Sequence, residues 1–198
     1  MTSEGSSDPV PATDRLLDAA LAVIARDGWR RTSFAAIAAE AEVDLARLYA
    51  SFPDRSHIIR AMMAGADAAA LAAQQGGRAS GEESPRDRLF DVLMRRFDAL
   101  EPMKPAWRAI AESWTDPLPG SIALAALPQS MRWMMEAAGL SPAGPGGTLQ
   151  LSGLCLLYAA VFRVWLRDEG ADLDKTMRAL DQALRRAEPF AAWAERWR

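Results

Sequence analysis

The sequence predicts an all-α protein in two parts. Alanine, leucine, arginine and methionine are abundant while β-branched residues are sparse, a mixture that favours helix over strand. Apolar residues recur at spacings of three and four, the period of a helix with one buried face, and no run alternates with the period of a strand. One stretch of glycine, serine and charge, GGRASGEESP at 76–85, separates two helical regions as a linker. With 198 residues, 50% of them hydrophobic, the chain can bury a sizeable core.

The opening residues 1–12, MTSEGSSDPVPA, have no basic region followed by an apolar stretch, so they are expected to be a disordered tail and not a secretory signal. Thr13 or Asp14 can cap a first helix whose inner face is Leu16, Leu17, Ala20, Leu21, Val23 and Ile24. Gly28 ends it, and Trp29 begins a short link. Ser33 is a candidate N-cap for a second helix to about Glu40, with Phe34, Ile37 and Ala38 inward. A tight turn over Ala41 to Val43 leads to a third helix, 44–51, capped by Asp44 and stopped by Phe52-Pro53, because proline disfavours helix at the residue before it. Asp54 caps a long fourth helix running past Met62 and Met63 to about Leu71.

Beyond the linker, RDRLFDVLMRRFDAL is strongly amphipathic. A proline-punctuated stretch then runs from Pro102 to Pro128, followed by a Met- and Trp-bearing helix to Gly139. SPAGPGG is expected to be a loop, its GPGG (144–147) a flexible turn before an apolar helix at 148–167. A last long helix, 173–187, places Leu173, Met177, Leu180 and Leu184 at heptad-like spacing. PFAAWAERWR closes the chain.

Several function classes fall away on composition. Cys155 is the sole cysteine, which excludes an intramolecular disulfide and a cysteine-based zinc site. His57 is the sole histidine, and no Ser-His-Asp set, metal cluster or phosphate-binding glycine loop can be assembled, so neither an enzyme, a cofactor nor a metal is expected. Gln150, Ser152 and Arg163 interrupt the most apolar segment, which argues against a membrane span and for a cytoplasmic protein. The net charge of -3 gives no global attraction to a polyanion, although a local basic face is what nucleic-acid binding needs.

Two short helices joined by a tight turn and braced on both sides form a helix-turn-helix. The stretch LLDAALAVIARDGWRRTSFAAIAAEAEVDLARLYASFPDRSHIIRAM resembles the N-terminal domain of the tetracycline-repressor (TetR) family of transcriptional regulators, through LLDAAL, DGW, TSFAAIAAEAEV and LYASFPDRSHII. The resemblance covers roughly residues 14–63. It implies an all-α homodimer in which a helix-turn-helix domain (13–63) is followed by a connecting helix and linker (64–84) and a larger effector-binding and dimerisation domain (85–198). It also implies double-stranded operator DNA as partner, with phosphate contacts from Thr32, Tyr49 and Arg55 and base readout from Asp44, Leu45, Ala46 and Arg47.

This chain departs from the family where Glu42 replaces the turn glycine and where Ala50 and Ser51 replace a basic residue and a histidine. Over residues 13–61 seven arginines (15, 26, 30, 31, 47, 55, 60) meet seven acids (14, 18, 27, 40, 42, 44, 54), a balance of zero. In the larger domain Trp107, Trp114, Met131, Met135, Tyr158 and Phe162 are candidate ligand-binding residues around an apolar cavity, since methionine and aromatic walls adapt to varied ligands. No charged constellation points to a polar ligand, so a small apolar effector is expected, releasing a repressor from its operator. Helices 148–167 and 173–187 are the expected dimer interface. The alternative is a TetR-fold lipid- or isoprenoid-binding accessory protein of the ubiquinone-biosynthesis type, with a degenerate DNA-binding domain. In that case Phe190, Trp193 and Trp197, at i, i+3 and i+7, would touch a membrane surface. Otherwise 189–198 folds back on its own domain.

Overall fold

The computed structural model describes residues 12–74, 84–113 and 118–195. Among the described residues the chain forms nine α-helices and no strand: α1 (Ala12–Asp27), α2 (Phe34–Glu40), α3 (Leu45–Ser51), α4 (Arg55–Gln74), α5 (Pro85–Leu100), α6 (Lys104–Glu112), α7 (Leu118–Ala137), α8 (Gly144–Trp165) and α9 (Asp174–Glu195), with one 3-10 turn at Glu101–Met103. The all-α class holds. The expected tail and most of the expected linker lie outside the described residues.

The N-terminal helices follow their local chemistry. The Ser33 hydroxyl accepts from Ala36 N at 3.1 Å and Asp44 Oδ1 accepts from Arg47 N at 2.7 Å, so each short helix has its N-cap filled. Ile37 and Ala38 of α2 and Leu48 of α3 are the buried residues that seat these helices on the rest. Ser56 N donates to Asp54 at 2.8 Å where α4 begins.

The long helix α4 packs against α5 and α7, while α1 packs against α2, α4 and α6. One continuous hydrophobic cluster runs from Leu16 to Leu184. Helices α8 and α9 lie against one another, and the buried Asp168 carboxylate, which takes both the backbone N–H and the hydroxyl of Thr176 at 2.8 Å, fixes the turn between them.

The structure corrects three readings of the second half. The proline-punctuated stretch is largely helical. Pro105 and Pro119 sit in the first turns of α6 and α7, where a missing N–H costs nothing, and Pro128 lies on the exposed side within α7. GPGG is not a turn but the first turn of α8, with Pro145 in an N-terminal position and Gly146 and Gly147 buried. Met177 leaves the buried heptad stripe: Leu173, Leu180 and Leu184 are buried, whereas Met177 is exposed.

Gly147 shows why the start of α8 needs glycine. A Cβ there would lie 2.5 Å from the carbonyl carbon of Pro142 and 2.7 Å from the oxygen of Ser141, both rigid backbone. Gly147→Ala should therefore destabilise the fold by about 1–3 kcal/mol, as overpacking does, measured as a lowered urea midpoint with an unchanged slope.

Candidate nucleic-acid interface and apolar pocket

The α1–α2 corner is built around Trp29, which is buried at the end of α1 after Gly28 turns the chain at φ 81°. Arg55, from the first turn of α4, lays its guanidinium over the Trp29 ring at 4.0 Å and donates to the Trp29 carbonyl. Thr32 is buried beneath, its hydroxyl donating to the Gly28 carbonyl at 2.9 Å. Two of the three expected phosphate partners, Thr32 and Arg55, thus hold this corner together.

The turn between α2 and α3 places Glu42 at φ 54°, the left-handed region that favours glycine. Beyond it Asp44 is committed to capping α3, so its carboxylate serves the helix first. The helix then divides cleanly. Leu48 is buried, while Leu45 and Tyr49 are 55% and 67% exposed, side by side at i and i+4, with Ala46 and Arg47 also exposed. Large side chains left in solvent on a seven-residue helix make a surface shaped to meet something.

Its charge is thin. Arg26 is engaged by Asp27 at 3.1 Å and Glu40 at 2.8 Å, and Arg31 Nε donates to the Asp27 carbonyl at 2.7 Å. The Ser56 and His57 side chains hold the Asp54 carboxyl down at about 2, so it stays negative beside α3. Arg47 has no ion-pair partner among the described residues.

Behind this unit lies a cavity of about 430 Å³ between α4, α5, α6, α7 and α8. Trp107, Tyr158 and Phe162 line it together, Trp107 meeting Phe162 edge-on at 5.4 Å. The other expected ligand residues go elsewhere. Met135 lines a separate groove of about 550 Å³ between α5, α7, α8 and α9. Met131 is fully buried and lines neither. Trp114 lies outside the described residues.

Sequence reasoning missed the polar part of this wall. Arg96 of α5 is 2% exposed; its Nε donates to Asp67 Oδ1 of α4 at 2.6 Å, and Nη1 donates to the Tyr158 hydroxyl of α8. The Ser130 hydroxyl of α7 donates to Asp67 Oδ2 at 2.6 Å. Burial opposes the charge on Arg96, yet Tyr158 and Asp67 together hold it above its usual range, so it remains a cation. Burial also raises the Tyr158 phenol, which stays a neutral hydroxyl. The signal was present in α5, where Arg96 stands in phase with Leu89, Leu93 and Leu100 on the apolar stripe. A charge on the buried face announces a buried partner.

Residues 16–62 match the family model of bacterial regulatory proteins, tetR family. No curated protein matches the chain. Over nearly its whole length the fold is similar to that of a solved TetR transcriptional regulator from Nitrosomonas europaea, with 23% identity, 93% of this chain and 99% of that one covered, and a TM-score of 0.71. A TetR transcriptional regulator from Rhodococcus sp. RHA1 is similar at 23% identity, with 87% and 96% coverage and a TM-score of 0.60. A TetR-like regulator from Rhodococcus sp. RHA1 follows at 19% identity, 90% and 96% coverage, and a TM-score of 0.54. These likenesses are of fold.

Glu42→Gly should stabilise the protein. A side chain in the left-handed region costs about 1–2 kcal/mol, and glycine's extra unfolded-state freedom takes back about 0.5–1 kcal/mol. The expected net gain, up to about 1.5 kcal/mol, is readable as a raised melting temperature.

Proposed function

We propose that this chain, whose residues 16–62 match the tetR family model of bacterial regulatory proteins, is a DNA-binding transcriptional regulator: a cytoplasmic homodimeric repressor whose grip on operator DNA is set by a small molecule in the cavity behind the helix-turn-helix. The observation that carries this reading is the exposed face of α3, presented by a capped, internally anchored helix. Leu45 and Ala46 offer apolar contact suited to a thymine methyl, Arg47 a base-edge or phosphate donor, and Tyr49 a hydroxyl toward the sugar-phosphate backbone. Arg55, partly exposed at the start of α4, would supply a phosphate donor, whereas the buried Thr32 hydroxyl, spent on the Gly28 carbonyl, serves the corner.

The cavity adjoins both helices that hold the DNA-binding unit. Met63 of α4 lines it, as do Trp107 and Ile110 of α6, the helix on which α1 rests. A ligand that fits one spacing of these walls better than another would bias the angle of α4, and with it the distance between two recognition helices in a dimer.

Dimerisation is supported by α8. It is long and apolar enough by composition to cross a membrane, yet Leu151, Leu154, Tyr158, Val161 and Trp165 face the core. What remains outward includes Leu149 and, 75% exposed, Leu156. A second copy of the same face would cover it as an isologous bundle with α9. No observation favours the lipid-accessory alternative: the side chains from Phe190 onward, where its amphipathic segment would lie, are outside the described residues.

Two measurements test the proposal. The protein should bind DNA from its own upstream region at low salt, with affinity falling steeply as salt rises. Arg47→Ala should weaken this binding roughly tenfold, the cost of one good base or phosphate contact; absence of upstream binding at low salt would overturn the regulator. Leu156→Asp should convert a dimer to a folded monomer by light scattering, with unchanged helical circular dichroism.

A further inference from the structure

We infer that the cavity's ligand is an acidic amphiphile, a single carboxylate on an apolar body, and that Arg96, Tyr158 and Trp107 read its carboxylate in competition with Asp67. The inference rests on the proposed ligand-responsive role of the cavity and narrows the ligand's chemistry.

The wall is apolar over most of its area, with Met63, Leu127 and Phe162 among its surfaces, but its polar groups are all of one kind. Arg96 and Arg163 line it, and no aspartate or glutamate does among the described residues. The Tyr158 hydroxyl accepts from Arg96, which leaves its own proton to donate. Trp107 is 5% exposed, and its indole Nε1–H is buried with no acceptor among the described residues. An orphaned donor inside a protein is costly and uncommon. A wall of cations and donors calls for an occupant that is anionic and acceptor-only, and a carboxylate meets both demands. A neutral hydrocarbon would leave Trp107 Nε1 unsatisfied, and an ammonium would meet the buried Arg96 cation.

The position of Arg96 adds the competition. Its guanidinium has five N–H groups, of which Asp67 and Tyr158 take one each. A ligand carboxylate engaging the remaining edge brings a second negative charge to one buried cation, so its attraction for Asp67 falls. Asp67 belongs to α4, the helix that carries α3, and Ser130 is its other bonded partner among the described residues. Occupation of the cavity therefore loosens the tie between α4 and α5 that the unliganded protein keeps.

Isothermal calorimetry of the full chain without DNA tests this, with decanoate and 4-phenylbutyrate as acids and decan-1-ol and 4-phenylbutan-1-ol as uncharged matches. At least one acid should bind about tenfold or more tightly than its alcohol, the worth of a charge-assisted contact. Tyr158→Phe, which keeps the ring, should weaken the acid several-fold and leave the alcohol unchanged; Trp107→Phe, which removes the indole N–H and part of the wall, should weaken the acid several-fold more than the alcohol. Asp67→Asn should strengthen the acid by removing its competitor. Alcohols binding as tightly as acids, no acid binding, or Asp67→Asn weakening the acid would each overturn the inference. Because DNA is absent from the measurement, a chain that shows this acid preference and binds no operator supports the inference while removing the regulator.

Discussion

A guanidinium inside an apolar core has to be partnered, and in this protein that requirement ties four helices together. Arg96 lies on the buried stripe of α5, and its partners arrive from α4 and α8 directly and from α7 through Ser130 and Asp67. Removing one member of such a buried pair costs about 3–5 kcal/mol, a large share of the 5–15 kcal/mol that separates folded from unfolded domains. Hydrophobic contacts alone would let α4 slide against α5 and α7 with modest loss, because its inner face is mostly alanine and methionine. The bonds to Asp67 fix one register. The stacking of Phe97 on Tyr158 at 4.9 Å then sets α5 against α8 within that register.

The N-terminal unit meets a different constraint, that of holding three short helices with little charge to spare. It solves this through Trp29, held by Arg55 over its ring and at its carbonyl, with Thr32 tied to the neighbouring Gly28 carbonyl. The solution commits a cation to structure. With Arg26 committed to Asp27 and Glu40 as well, the surface has few arginines left to draw on counterion release, the term that supplies most non-specific affinity for DNA. A recognition face of this kind depends on shape and on apolar contact from Leu45 and Tyr49 more than on attraction at a distance. A weakly charged reader loses less of its discrimination to random DNA, and it is slower to find its site.

Much of this fold could be read from residues that act locally. Ser33, Asp44 and Phe52-Pro53 mark the ends of α2 and α3 because caps and prolines work within a turn of where they stand, and the turn position taken by Glu42 has the positive φ expected where a glycine is usual. The errors came where a local rule met tertiary context. Prolines in first turns do not break helices, so α6 and α7 run through the proline-punctuated stretch. Met177 has the spacing of the buried stripe, but nothing in the spacing says where that stripe ends. The polar wall of the cavity was the least legible part: Asp67 and Tyr158 are 29 and 62 residues from Arg96, and periodicity carries no information about such pairs. All six ligand residues were legible only by residue type; the three that line this cavity lie on α6 and α8, and residue type carries no information about which face of a helix meets the cavity.

The same network decides how the two halves of the molecule can communicate. A ligand shifts a two-state equilibrium only by the difference in its affinity for the two states, and moving a population from 1:99 to 99:1 takes about 5.5 kcal/mol. Few contacts in a cavity of mostly apolar wall offer a difference of that size, since a displaced methylene is worth less than about 1 kcal/mol. A buried ion pair is costlier to disturb, since losing one partner costs about 3–5 kcal/mol, and Arg96 of this cavity's wall has its ion-pair carboxylate, Asp67, on α4. The second route, from Trp107 and Ile110 through α6 to α1, consists of packing contacts that can follow a movement of α4 and stabilise its end state. On the proposed ligand-responsive reading, Arg96 and Asp67 are where the free energy of switching would be concentrated, and the aromatic wall beside them would set which molecules reach it.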